Sequence, residues 1–277
     1  MPSKRKERKN PMMGHGHRAV DWPVTIKRSA RFCFEPKRFL PFFITDALVI
    51  TIAFLLIGGA AMPYGGLAAG SLPLEADSAI VMLAILIIAW FLASLWITGA
   101  VIHQSSKPNE FDRSWLVSAR MYPNLLAATA IVAVITIILS SVPQVGLLLS
   151  IVASLAFLLV SQFVIVGGMK FHQALSMSLK TLRYKFLAVF LSWLIGGLLS
   201  LAIMLVFASP LIATVFYFVA TYGMEDAILY MMVSLDWSVI YAESGILLLG
   251  LSISRTFGLN FLTDVYLQLN RKRFFIF

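Results

Sequence analysis

The residues placed to do chemistry in this chain are the few charged and polar side chains that interrupt its long apolar stretches. Arg255 is the foremost. It stands eleven residues beyond Ser244, about 16 Å into an apolar stretch if that stretch is helical. A guanidinium so deep costs several kcal/mol unless it is paired or wetted. It therefore marks either a substrate or ion site inside a bundle, or a structural clamp to an acid or to helix-end carbonyls. Asp46 is the acid set well within another apolar stretch. By span boundaries it lies about 9 Å above or below Arg255, which is marginal for direct contact. Asp264 follows Arg255 by nine residues, which places it on the opposite side of a helix, so it is no intrahelical partner.

Ser252, Thr256, Asn260 and Asp264 recur every four residues. On a helix they form one polar stripe, which turns toward protein or water rather than lipid. Such a stripe lines a polar pathway or supplies interhelical hydrogen bonds. Ser192, Gly196 and Ser200 form a row of small residues at the same spacing, the pattern that lets a neighbouring helix approach closely. The run MMGHGH (12–17) offers soft ligands but no further ones follow, so no metal is expected. His103 and His172 are expected at the inner interface, where a pH-sensing pair is the functional reading and coincidence the ordinary one. No phosphate-binding loop, zinc motif or nucleophile elbow occurs. No cofactor and no catalytic residue are expected.

The elements that must position these residues follow from composition. Of 277 residues, 60% are hydrophobic and 13% charged, against roughly 45–50% and about 25% in soluble domains. A soluble enzyme, a disordered chain and a disulfide scaffold are excluded, the last also because Cys33 is the single cysteine. Stretches long enough to cross the bilayer run over 40–62, 79–102, 125–142, 146–168, 186–208 and 244–267. Without period-two alternation, helix is the only sensible state. The expected fold class is all-α: a polytopic integral membrane bundle of six transmembrane helices in three hairpins, 39–277, preceded by a basic segment, 1–38.

Eleven of the 22 Lys and Arg residues lie in that basic segment. The connecting segments 63–78, 143–145 and 209–243 hold none, but do hold Glu75, Asp77, Glu225, Asp226, Asp236 and Glu243. Positive charge is retained inside, so both termini are expected in the cytoplasm and the protein in the plasma membrane. Nothing in the basic segment reads bases, so nucleic acid is not an expected partner. Within 209–243, Ser209 and Pro210 are expected to end the fifth helix. LIATVFYFVAT (211–221) then suits a re-entrant or interfacial piece, and MEDAILYMMVSLDW (224–237) a helix on the outer surface. Two further crossings are the competing reading.

Ser29, Ser118 and Ser178 each open a Ser-(Ala/Leu)-(Arg/Lys) triplet just before a hairpin. These segments read as amphipathic helices on the inner leaflet, either duplicated or convergent. In the third, Lys180, Arg183 and Lys185 are expected to meet anionic lipid. The stretch FVIVGGMKFHQALSMSLKTLRYKFLAVFLSWLIGG, with Ala174 and Ser178 in an Ala-x-x-x-Ser spacing, and the closing FLTDVYLQLNRKR resemble the polytopic families grouped around the membrane domain of glycerophosphodiester phosphodiesterases. The likeness covers about 120–270 and implies fold and topology. It carries no catalytic residues, because the longest soluble stretch is about 39 residues.

Two functions stay open. One is a non-enzymatic membrane protein that organises or partners a complex, with a protein partner or a second copy of itself. The other is a small-molecule or lipid transporter using the polar face around Arg255. Membrane enzymes are a distant third. The topology is directly testable in a Cys33→Ser background. Gly70→Cys, Gln144→Cys and Tyr230→Cys are expected to label from outside the cell. Glu110→Cys, Ser176→Cys and Phe274→Cys are not, and labelling of residue 230 from inside alone contradicts six crossings.

Overall fold

The computed structural model describes residues 20–61, 76–234 and 237–270. Within those ranges the side chains of 57–61, 76–77, 224–234, 237 and 240 lie outside the description. The elements are helices: α1 (Trp22–Cys33), α2 (Pro36–Ala61), α3 (Ala76–Ser106), α4 (Phe111–Ser140), α5 (Gly146–Phe157), α6 (Val160–Ile165), α7 (Phe171–Tyr184), α8 (Phe186–Ser234) and α9 (Trp237–Asn270). Among the described residues no strand occurs. Six stretches are long and apolar enough to cross a membrane: Pro36–Leu56, Ser78–Ser106, Phe111–Ser140, Gly146–Ile165, Phe186–Gly223 and Tyr241–Asn270. The chain is an all-α polytopic membrane bundle. Its outer surface is apolar, with Ile80, Val81, Ile85 and Ile88 of α3 exposed where lipid tails would cover them.

α9 is the axis of the bundle. It packs along α8, α1, α2 and α3, while α4 joins α3 to the α5–α7 group. Close approach to α8 depends on small residues. A Cβ on Gly196 would sit 3.0 Å from the Phe261 ring, and one on Gly250 2.2 Å from Phe207 Cβ. The row Ser192–Gly196–Ser200 thus lies against α9, where Ser254 Oγ also donates to the Ser200 carbonyl at 2.8 Å. Within a membrane such packing replaces the hydrophobic drive that lipid removes.

Two expectations from the sequence need correction. Ser209 and Pro210 do not end the fifth span: α8 stays helical through Pro210 and breaks only at Gly223, where φ is +81°. A proline inside a spanning helix is tolerated when local hydroxyls and neighbouring helices resatisfy the backbone, and Ser209 Oγ donates to the Val206 carbonyl at 2.7 Å. The 211–221 stretch is therefore a continuation of α8 rather than a separate re-entrant piece. The positive φ at Gly223 is the conformation that glycine adopts without a Cβ clash. The second amphipathic segment is also not a separate helix. It forms the first turns of α4, which runs on through Pro123. Residues 235 and 236, and the MMGHGH run, lie outside the described residues.

Two of the three serine triplets occupy matching positions. Ser118 Oγ donates to the Trp96 carbonyl at 2.6 Å, and Ser178 Oγ to the Ala156 carbonyl at 2.7 Å. Each bridges 22 residues back to the preceding helix. Ser29 is buried against α9 instead and accepts from Asn260 Nδ2 at 3.0 Å. Gly99 admits Ser118, since a Cβ there would meet its Oγ at 2.4 Å.

Gly250→Ala is expected to lower the detergent melting temperature through a loss of about 1–3 kcal/mol, the usual cost of overpacking. Gly197, whose Cβ would meet nothing within 4 Å, is the control. Gly197→Ala is expected to be neutral, or to stabilise by up to about 1 kcal/mol from helix propensity. Thermal unfolding of the two variants side by side checks the α8–α9 contact.

Candidate intramembrane site

The polar side chains of α9 separate into two zones on different faces. The stripe forms the first. Ser252, Thr256, Asn260 and Asp264 are all buried. Ser252 and Thr256 bond back to the carbonyls of Leu248 and Ser252, at 2.9 and 2.8 Å, so their hydroxyls are satisfied within the helix. Asn260, Asp264 and Gln268 are instead covered by α1. That helix starts at the cap residue Asp21, with Pro23 in its first turn, and buries Thr25, Ser29, Phe32 and Cys33 at helical spacing. Gln268 Nε2 donates to Thr25 Oγ1 at 2.8 Å, and the Asp21 backbone N–H donates to Gln268 Oε1 at 2.9 Å. Arg28 pairs with Asp264 at 2.7 Å, joining a side chain that is 66% exposed to one that is 6% exposed. The other Asp264 oxygen, Oδ2, is buried with no protein partner. The lower stripe is thus a docking track for α1, and Cys33 beneath it packs among Ile253, Phe257, Phe261 and Val265. Burial pushes the Cys33 thiol up to about 11.

Arg255 belongs to the second zone. It lies 14 residues from Tyr241 and 15 from Asn270, so it is near the middle of its span, about 22 Å from either end. Its guanidinium faces α2 and α3. Nη1 and Nη2 stand 3.5 Å from Ser94 Oγ and Thr98 Oγ1, and the guanidinium carbon lies 4.3 Å from the centre of the Phe42 ring. Among the described residues no carboxylate comes within 4.0 Å of it, Asp46 included. Asp46 instead accepts from Trp90 Nε1 at 2.7 Å. Arg255 and Asp46 nevertheless line one cavity of about 450 Å³, together with Trp90, Ser200 and Ser254. Leu251, Gly258 and Leu259 supply its apolar walls. The cavity lies over α9 between α8 and the α2–α3 pair, and α2 and α8 do not pack along each other. Leu251, on its wall, is 38% exposed.

Arg38 shows how this protein holds a cation for structural purposes. It is 2% exposed and bonds Gln104 Oε1 at 2.9 Å, Glu35 Oε2 at 3.2 Å and the Pro108 carbonyl at 3.3 Å. The Phe32 and Phe111 rings flank it at 4.7 and 5.6 Å. Arg255 has neither a carboxylate nor a short bond. A guanidinium carries five donors, more than the two hydroxyls of Ser94 and Thr98 occupy, and Arg255 also lines the cavity.

Of the three basic residues on the third amphipathic segment, Lys180 and Arg183 are exposed. Lys185 is half-buried, and its Nζ donates to the Leu269 carbonyl at the end of α9. His103 is buried on Ser114 Oγ at 2.9 Å, whereas His172 is exposed beside Phe171, so the two histidines do not form a pair. Among the described residues no cluster of three or more His, Cys, Asp or Glu is arranged to hold a metal. Sequence reasoning missed Trp90, Ser94, Thr98 and Phe42. The four-residue spacing of Ser94 and Thr98 was the available signal, muted by the apolar residues around it.

Compared with protein-family models, with curated proteins and with solved structures, the chain matches none. What fold and composition define is an integral membrane protein.

Arg28→Ala strands a nearly buried carboxylate and is expected to loosen α1 by about 1–3 kcal/mol. Asp264→Asn is expected to cost less, and adding it to Arg28→Ala to recover part of the loss. Cys33 is the built-in reporter. In the native protein it is fully buried and protonated at pH 8, so maleimide reacts slowly. In Arg28→Ala its labelling rate should rise roughly tenfold for each 1.4 kcal/mol lost.

Proposed function

We propose that the protein is a non-enzymatic membrane transporter that binds a small molecule or lipid in the cavity around Arg255. The observation that carries this reading is the guanidinium itself, held mid-span by two long hydroxyl contacts and one aromatic face. Intramembrane ionisable groups that lack a structural partner mark substrate pathways. The cavity of about 450 Å³ is in the size range of small-molecule sites. The competing reading, an organiser of a partner complex, draws on the acidic outer loops and the long outer segment 209–243. Part of that segment, through Tyr222, continues the fifth spanning helix α8, so it extends the span rather than forming a separate outer element.

The proposal places the protein in the plasma membrane with both termini cytoplasmic. Lys180 and Arg183 then face anionic lipid of the inner leaflet, each contributing about 1 kcal/mol near that surface. Lys185 serves mainly to cap α9. We retain the likeness to the glycerophosphodiester phosphodiesterase membrane domain as a proposal of shared architecture without catalysis.

Thermal stabilisation in detergent, scanned across lipids and metabolites, tests this. A ligand at a hundred times its Kd is expected to add about 2.7 kcal/mol to the wild type. Arg255→Gln is expected to keep the unliganded fold and lose that increment. A ligand that stabilises Arg255→Gln equally contradicts the site.

A further inference from the structure

Resting on the reading of Arg255 as a binding group, we infer that its ligand is an amphiphile with an oxyanion head and an alkyl chain. We further infer that this ligand enters sideways from the bilayer between α2 and α8.

The head follows from the guanidinium. Its planar fork matches the paired oxygens of a carboxylate or phosphate, a match that an ammonium lacks. Ser94 and Thr98 flank the fork at 3.5 Å. Both hydroxyls accept from the fork, and Thr98 Oγ1 spends its own proton on the Ser94 carbonyl at 2.8 Å. Asp46 lines the same cavity and is held on Trp90.

The chain follows from the walls and the route. Leu251, Leu259 and the bare backbone at Gly258 make the cavity largely apolar away from Arg255. Toward the inner end, the polar stripe that would have offered water a path is occupied by α1. Ser29 sits on Asn260, Arg28 on Asp264 and Thr25 on Gln268. Among the described residues α2 and α8 leave a seam between them over the cavity, and Arg255 stands near mid-span, so that seam is the route we assign. A small hydrated anion would have to shed its water to arrive there, whereas an anion carried on an alkyl chain is already dissolved in the lipid. Fatty-acid carboxylates and lipid phosphates share this chemistry.

The full-length protein in a maltoside detergent is the test object, with melting temperature as the readout. Dodecanoate and dodecyl phosphate, both below their micellar concentrations, are the probes. Dodecanol carries the chain without the charge, dodecyltrimethylammonium carries it with the wrong charge, and acetate and inorganic phosphate are heads without chains. The inference expects stabilisation by the two anionic amphiphiles alone. Arg255→Lys should weaken it about tenfold, because one point charge replaces the fork. Gly258→Leu puts a side chain on the cavity wall beside Ser200, whose Oγ its Cβ would meet at 3.4 Å, and should also lose the response. It serves as the second variant if Arg255 substitutions fail to fold. A preference for dodecanoate over dodecyl phosphate, or the reverse, identifies the source of the head. Equal stabilisation by dodecanol overturns the oxyanion assignment. Stabilisation by acetate or phosphate that Gly258→Leu leaves intact overturns lateral entry while keeping Arg255 as the binding group. No response to any probe, with a response to another ligand that needs Arg255, refutes the amphiphile but not the transporter. No Arg255-dependent response at all removes both.

Discussion

A guanidinium near the middle of α9 is the constraint around which much of this bundle is arranged. Moving such a charge into hydrocarbon costs several kcal/mol even after local adjustment. The protein answers that cost with two hydroxyls of α3 and the face of Phe42 on α2, and with Asp46 across the shared cavity. α9 can present Arg255 this way because its other faces are fully used. Phe257 and Phe261 pack toward α1 and α8, and Gly196 lets the Phe261 ring press against the α8 backbone. The helix is therefore fixed in rotation, and with it the direction in which residue 255 points.

The same helix separates two polar roles that a linear sequence runs together. Residues 252, 256, 260 and 264 turn toward the bundle and, from Asn260 downward, toward α1. Residue 255 turns toward α2 and α3. One residue of offset, about 100° on a helix, divides a docking track from a binding face. Docking of α1 also closes the inner end of the stripe, which leaves the lateral seam as the route assigned to the Arg255 cavity. The serine contacts at 29, 118 and 178 extend one packing device across the bundle: a small hydroxyl residue on an entering helix, buried against the helix it meets. A short side chain permits the close approach and satisfies one polar atom where water is absent.

Much of this architecture was legible in the sequence. The six spans stand out because only uninterrupted apolar stretches satisfy the bilayer, and the depth of Arg255 follows by counting. The inward turn of the 252–264 stripe and the contact role of the 192–200 row follow from periodicity alone. What was not legible depends on tertiary context. Pro210 reads as a terminator because local rules weigh its missing N–H, yet neighbouring hydroxyls and helices keep α8 intact to Gly223. Pairing Arg255 with Asp46 was the natural electrostatic expectation. Ser or Thr hydroxyls of neighbouring helices were the other expected partners, and Ser94 and Thr98 are two such hydroxyls; that Trp90 would take the carboxylate and the Phe42 ring would face the guanidinium was not legible. Arg38 passed unnoticed among eleven basic residues, because nothing in a charge cluster tells which member will be buried.

The central claim is that Arg255 is kept for binding and is not a strut. Residues retained for function commonly lower stability, and a partly satisfied intramembrane charge is a strong case. The most direct measurement is the unfolding free energy of ligand-free Arg255→Met in detergent, beside the wild type. Methionine preserves much of the volume and removes the charge, while Asp46 keeps its bond to Trp90. The account predicts unchanged or increased stability. A loss of about 3–5 kcal/mol, the cost of breaking a buried charge pair, would show Arg255 to be a structural clamp and contradict it.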